Sequence, residues 1–178
     1  MKPAVKLPIT LLTATPPDAE ILTQFGAEAM RDAFAALNTP ENLEAYLASA
    51  FTPDGLHREL TDPKATFLLA KHGPDLVGYA KVRRNGPKPR RLRGQRALEV
   101  QRIYVHRDAQ GLGVGRMLLE ACLDIGRREG VGAVYLGVWE KNSSAQAFYR
   151  KLDFSPIGWH YFQFGSERQR DIWMSRSL

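Results

Sequence analysis

The chain has 178 residues, 44% of them hydrophobic, and lysine plus arginine outnumber aspartate plus glutamate by 25 to 19. That length suits one well-buried domain spanning residues 1–178 rather than two, and the basic excess admits an anionic partner without choosing among nucleotide, nucleic acid and membrane surface. The one cysteine, Cys122, excludes an internal disulfide and has no metal-ligand neighbour at the right spacing, and no run approaches the roughly 18 to 20 apolar residues of a membrane span, so a soluble, cytoplasmic protein without a metal is expected.

Lys2 and Lys6 precede the apolar run "LPITLLTA", which superficially imitates a secretion signal, but Pro8 interrupts it and no cleavage site follows. The run reads as a first strand. After the turn "PPDAE", the segment "ILTQFGAEAMRDAFAALN" repeats Phe25, Ala29, Ala33 and Ala36 or Leu37 at helical spacing. Thr39 as N-cap and Pro40 at the first helical position open a second helix. "ATFLLAKHGPDLVGYAKV" is a hairpin turning at His72 to Asp75. From Lys81 to Arg96 there are eight basic residues, several Gly and Pro breakers and no acid, which reads as a loop. It is either a solvated hairpin tip or a surface for RNA or an acidic protein.

"ALEVQRIYVH" is the next strand, and its alternation slips: Leu98 and Val100 share one parity, Ile103 and Val105 the other. A β-bulge near Gln101 or Arg102 would return all four to the core face. Beyond three alternating glycines, Val114, Met117, Leu118, Ala121, Cys122 and Ile125 fall on one helical face. "VGAVYLGVW" is a further strand, and "NSSAQAFYRKL" reads as a helix in which Ser143 and Gln146 match the spacing of a capping box. "FSPIGWHYFQFG" and "RQRDIWMSRSL" are two C-terminal strands. The strands at Leu98 and Ala133, joined by a helix, make a right-handed parallel βαβ unit, and everything else is antiparallel, so the fold class is α+β.

The stretch "QGLGVGRMLLE" raises the question of a phosphate ligand. A Walker A loop fails because Arg116 and Met117 follow Gly115 where Lys and Ser or Thr are needed. The dinucleotide fingerprint fails because Gly111, Gly113 and Gly115 stand at positions one, three and five rather than one, three and six. Successive N–H groups at a helix N-terminus nonetheless suit a pyrophosphate; the alternative is a glycine-rich helix start with no ligand.

"IYVHRDAQGLGVGRMLLE", with Gln110, Gly113 and Gly115, resembles the acetyl-CoA-binding segment of the GNAT N-acetyltransferases, and "WEKNSSAQAFYRKLDF" resembles that family's second segment. "LEVQRIYV", "LGVWEKN" and "FGSERQRDIWM" are similar to a narrower bacterial group of spermine/spermidine acetyltransferases. Asp153 departs from the pattern, which has glycine before the phenylalanine, so an αL turn there carries strain. The resemblance implies the GNAT fold: a mixed, mostly antiparallel seven-stranded sheet, about four flanking helices, and a splayed parallel strand pair forming an acetyl-CoA cleft. It also implies an acyl-CoA-dependent N-acetyltransferase with acetyl-CoA as cosubstrate. The backbone of Ile103, Tyr104 and Val105 would hold the pantetheine arm; Gln110, Gly111, Leu112, Gly113, Val114, Gly115 and Arg116 would hold the pyrophosphate; and Asn142 would contact the cofactor unless it only caps a helix.

An amine must be neutral to attack a thioester, and a free primary amine has a pKa of about 10, so a base is needed. Glu99, on the face opposite Leu98 and Val100, is the candidate, with a merely solvated strand carboxylate as the bland alternative. Tyr149 matches the family's general acid for the departing thiolate, against a plain core tyrosine on the Ala145–Phe148–Leu152 stripe. The expected reaction is direct attack through a tetrahedral intermediate on a small amine, with a polyamine favoured by the acids Glu28, Asp32, Glu41, Glu44, Glu59 and Asp62. Alternatives are a protein or peptide acceptor, or a non-catalytic acetyl-CoA-binding regulator. No membrane partner is expected, nucleic acid is disfavoured, and a homodimer is left open. His57, His72, His106 and His160 are scattered and carry no assigned role.

Overall fold

The computed structural model describes residues 8–178. Lys2, Lys6 and the first residue of the expected N-terminal strand lie outside them. The chain forms strand β1 (Ile9–Thr13), helices α1 (Ala19–Phe34), α2 (Pro40–Ala50) and α3 (Pro53–Thr61), and the hairpin β2 (Ala65–His72) and β3 (Asp75–Arg83). Then follow β4 (Ala97–Val105), α4 (Val114–Arg128), β5 (Ala133–Trp139), α5 (Ser143–Arg150), β6 (Ser155–Phe164) and β7 (Glu167–Ser177). The strands make one seven-stranded sheet in the order β1-β2-β3-β4-β5-β7-β6, antiparallel except for β4 with β5. This is the GNAT fold in the α+β class, with five α-helices rather than about four. No helix among the described residues is long and apolar enough to cross a membrane.

The additional helix is α3, and its start repeats a signal already used once. Thr39 accepts a hydrogen bond from the Asn42 N–H at 3.3 Å, with Pro40 following it. Thr52 does the same for Gly55 at 3.1 Å, with Pro53 following. The helix buries only Leu56, too little apolar periodicity for the pattern to register.

Its presence also corrects the reading of Lys81 to Arg96. Strand β3 runs on to Arg83, and Lys81 is buried because Glu59 of α3 meets its ammonium at 2.9 Å. The remainder is a loop with a short 3₁₀ turn at Arg90–Leu92; Leu92 is buried beside Tyr135 and Trp173 while Arg90, Arg91 and Arg93 stay exposed.

Two layers of core flank the sheet. On one side α4 packs Leu118, Leu119, Cys122 and Leu123 against Val82, Leu98, Val134 and Met174. Met117, expected on the buried face, is 37% exposed, and Leu119 and Leu123 take its place, because the apolar stripe is rotated toward them. On the other side α1, α2 and α3 bury Leu22, Phe25, Leu43, Leu47 and Leu56 around Phe67 and Tyr79. Burial pushes the Cys122 thiol up to about 12, which suits a core side chain and not a nucleophile.

The expected bulge is present. Lys81 pairs with Arg102 and Val82 with Val100, leaving Gln101 as the extra residue. Leu98 and Val100 before it, and Ile103 and Val105 after it, all pack on the α4 core.

Candidate functional site

Strands β4 and β5 pair over three rungs only, Ala97 with Ala133, Leu98 with Val134 and Glu99 with Tyr135. Beyond Glu99 they splay, so one edge of β4 from Val100 to Val105 has no strand partner and its backbone groups face a cleft. Ile103, Tyr104 and Val105 line one wall, and Gly137, Val138 and Trp139 of β5 the other. Ala29, Ala33 and Phe34 of α1 and Asn142, Ala145 and Tyr149 at α5 complete it.

At one end the cleft continues along Gln110, Gly111, Gly113, Val114, Gly115 and Arg116. Gly111 and Gly113 hold φ of +77° and +85°, and a Cβ on either would meet nothing within 4 Å, so glycine is required there by backbone conformation and not by space. The turn delivers the chain into α4 with its first-turn N–H groups aimed outward, where no intrahelical carbonyl can reach them. Outward N–H groups at a helix start are the form that an anion site takes. Leu112 stands apart: its side chain is 52% exposed and its N–H is donated to Ala109 O at 3.3 Å, which shapes the turn.

Tyr149 is 7% exposed on the buried side of α5, and burial raises its phenol well above the ordinary tyrosine value, so it carries its proton at neutral pH. Asn142 caps α5, its Oδ1 accepting from Ala145 N at 3.0 Å, while it also faces the cleft. Both roles proposed for Asn142 are therefore compatible.

Glu99 lies at the closed end of the splay, not along the cleft. Its carboxylate is bound by the Arg83 guanidinium through both Nε and Nη2, it is 4% exposed, and Gly86 packs directly against it. The carboxylates that line the cleft are Asp32 of α1, toward the Gly111–Gly113 turn, and Asp171 of β7, on the wall toward β6 and β7. Burial and the nearby charge of Glu140 push the pKa of Asp171 up to about 6. Directly across the ladder is His160 of β6, which stacks on Trp173 with ring centroids 3.9 Å apart.

The far wall of the cleft is aromatic. Tyr46 of α2 stacks on Phe164 of β6 with centroids at 4.6 Å, and Phe34 packs against both Phe164 and Trp139. Deeper in, the Arg102 guanidinium reaches Glu59 with 2.7 and 3.2 Å contacts, and Lys81 shares the same carboxylate. Two cations thus face one anion, leaving positive charge at that end.

Four of the six acids expected to bind distal ammonium groups have partners of their own. Glu44 pairs with Arg31 at 2.8 Å, Asp32 lies 3.8 Å from Arg107, Asp62 accepts from its own turn, and Glu59 is held as above. Sequence reading missed Asp171 and His160, although each stands at inward parity in a strand, Asp171 with Trp173 and His160 with Phe162 and Phe164.

Residues 28–154 match the acetyltransferase (GNAT) family model. An uncharacterized N-acetyltransferase of Lactobacillus delbrueckii subsp. lactis is 29% identical over 151 residues, 85% of this chain and 87% of the relative. The N-alpha-acetyltransferase RimI of Mycobacterium tuberculosis is 39% identical over 106 residues, covering 60% of this chain and 62% of RimI. Among solved structures, the PaiA N-acetyltransferase of Thermoplasma acidophilum in complex with coenzyme A superposes with a TM-score of 0.75 at 19% identity, over 97% of this chain and 100% of that one.

Proposed function

The chain belongs to the acetyltransferase (GNAT) family and is an acetyl-CoA-dependent N-acetyltransferase; from that premise we propose that its acceptor is a small primary amine taken up one amino group at a time. The observation that carries this reading is the acceptor end of the cleft, a cleft of about 310 Å³ in all: that end is walled by Tyr46, Phe162, Phe164 and Trp139, with a carboxylate, Asp171, on one side and a guanidinium, Arg102, on the other. Aromatic faces and one carboxylate suit a single ammonium group. The surplus cation of the Arg102–Lys81–Glu59 cluster repels a second one. A polyamine of the spermidine type, which the sequence resemblance suggests, meets this pocket with one terminal amine inside and the rest of its charge outside.

The residues along the cleft fit acetyl-CoA in their chemistry. The unpaired edge of β4 offers backbone donors and acceptors to the amides of a pantetheine arm, and the Gly111–Gly113 turn with Arg116 offers N–H groups and charge to a pyrophosphate. Acetyl-CoA supplies the acetyl thioester. A β4 N–H aimed at the thioester oxygen would stabilise the charge that grows there, an effect of roughly 3 kcal/mol in comparable sites. Tyr149, protonated and buried, would donate to the leaving sulfur.

A second reading, acetylation of a protein or peptide N-terminus, is favoured by the similarity to RimI. It needs the acceptor end to open, because α2 and the β6–β7 turn are joined across it: Ser166 N and Oγ donate to Asn42 Oδ1 at 3.2 and 2.5 Å, and Gln169 donates to Asn38. Free-thiol release from acetyl-CoA, with propylamine, spermidine and a short unblocked peptide compared side by side, distinguishes the two. Turnover of the small amines above the peptide is the expected result; a peptide preference overturns the small-amine reading.

A further inference from the structure

Three features converge at one point on the acceptor side of β5. His160 Nδ1 lies 3.0 Å from the carbonyl oxygen of Tyr161, so Nδ1 carries the ring proton and Nε2 presents a lone pair. That Nε2 is buried with no hydrogen-bond partner and lies 4.0 Å from Asp171 Oδ2. Two acceptors facing one another at that distance call for a donor shared between them. Gly137 of β5 marks where it would stand: a Cβ built there would be 3.1 Å from His160 Nε2 and 3.5 Å from Asp171 Oδ2. Gly137 and Asp171 both line the acceptor pocket, whose other walls carry Tyr149.

Resting on the small-amine reading above, we propose that Asp171 is the general base of the reaction, with His160 as the positioning residue that holds the acceptor nitrogen against it over Gly137. The acceptor enters as an ammonium group. One N–H proton passes to the Asp171 carboxylate while another points at His160 Nε2, and the freed lone pair attacks the thioester carbon. The C–N bond forms, the C–S bond breaks, and the sulfur takes the Tyr149 proton. The amide nitrogen's surplus proton restores Tyr149, and Asp171 returns its own to solvent, so that one ammonium ion and one thioester give one amide, one thiol and one proton.

The surroundings suit a base that must also release its proton near neutrality. Burial and Glu140, at the end of β5, hold Asp171 at about 6. Arg170 points elsewhere, engaged with Glu140 at 2.8 Å. Burial lowers His160, with Tyr161 O and Glu99 of β4 acting the other way, so the ring stays neutral. Tyr46 of α2 faces the carboxylate with its phenol raised by burial and hence uncharged.

The test compares propylamine, an ammonium ion at neutral pH, with 2,2,2-trifluoroethylamine, which is similar in size but already neutral there. Thiol release is followed from about pH 5 to 9 in the wild type, Asp171→Asn, His160→Gln and Gly137→Ala, with acetyl-CoA affinity as the check on folding. Wild type shows an acid limb in kcat/KM near pH 6, the value Asp171 holds. Asp171→Asn loses that limb and roughly 100-fold in propylamine turnover, yet less than about threefold with trifluoroethylamine. His160→Gln and Gly137→Ala raise the KM of both amines and leave acetyl-CoA affinity intact. An Asp171→Asn enzyme that keeps its propylamine rate, or that loses both amines equally, overturns the assignment. A wild type that binds acetyl-CoA but turns over neither amine defeats the small-amine reading and the assignment together.

Discussion

Gln169 of β7 donates its side-chain amide to Asn38 Oδ1 at 2.7 Å, a bond that ties the α1–α2 connection to the last hairpin across the mouth of the acceptor pocket. Ser166 and Asn42 make the same tie one turn further along, with Gly165 packed on the Asn42 backbone. Such exposed or half-exposed polar contacts contribute about 0.5–1.5 kcal/mol each, enough to keep the mouth closed and not enough to hold the fold. The double variant Asn42→Ala, Gln169→Ala is therefore expected to unfold within about 2 kcal/mol of wild type in urea while its peptide-to-propylamine ratio of kcat/KM rises several-fold. Thiol-release assays with both acceptors read the ratio directly.

Glu59 is the anion beneath two buried cations. Burial alone would raise its pKa, but Arg102 and Lys81 outweigh that, and the carboxyl sits below its ordinary value of 4.5. A depressed folded pKa means the stabilisation is present above the unfolded value and disappears as pH falls through the folded one. Urea midpoints should thus decline as pH drops below about 4.5. Glu59→Gln leaves Arg102 and Lys81 facing each other without a counter-charge and is expected to cost about 3–5 kcal/mol at pH 7, with much of the acid sensitivity gone.

Gly113 tests the anion end. At φ +85° it occupies a left-handed conformation that an L side chain adopts at a cost of about 1–2 kcal/mol. Gly113→Ala either carries that strain or tilts the first turn of α4 out of line. The expected outcome is a modest fall in Tm and a roughly tenfold rise in the KM for acetyl-CoA, with the KM for the amine unchanged.

The anion end and the bulge were legible because each is a local rule: alternating glycines before an apolar helix, and a parity slip between Val100 and Ile103. The acceptor end was not, because no local rule makes it. Asp171 and His160 become neighbours only through the register of β6 on β7, and Gly137 matters only because it lies beside both. Glu99 illustrates the converse. Its parity, opposite Leu98 and Val100, admitted a solvated carboxylate, yet it is buried, and Arg83, which occupies it, is likewise a strand residue, paired with it across the β3–β4 ladder. Reading Lys81 to Arg96 as one loop hid that partner. Asp153 lay between these cases: the break from the family's glycine pointed to a left-handed residue, and its φ is +65°, the single non-glycine positive value among the described residues.

Tyr149 is where chemistry and packing separate most cleanly. Its ring packs edge-on to Phe148 at 5.2 Å and against Phe154 at 6.0 Å, so Tyr149→Phe keeps the packing and removes only the hydroxyl. If the phenol is the proton donor to sulfur, kcat falls by about 100-fold or more while acetyl-CoA affinity and Tm hold. Its pKa is raised by burial, which favours the protonated phenol in the folded state, so this group's contribution to stability is complete below the ordinary tyrosine value of 10 and fades only above it. No basic limb from Tyr149 should therefore appear in the kcat profile below pH 10. A Tyr149→Phe enzyme with wild-type kcat would make Tyr149 a packing residue and move the protonation of sulfur to solvent.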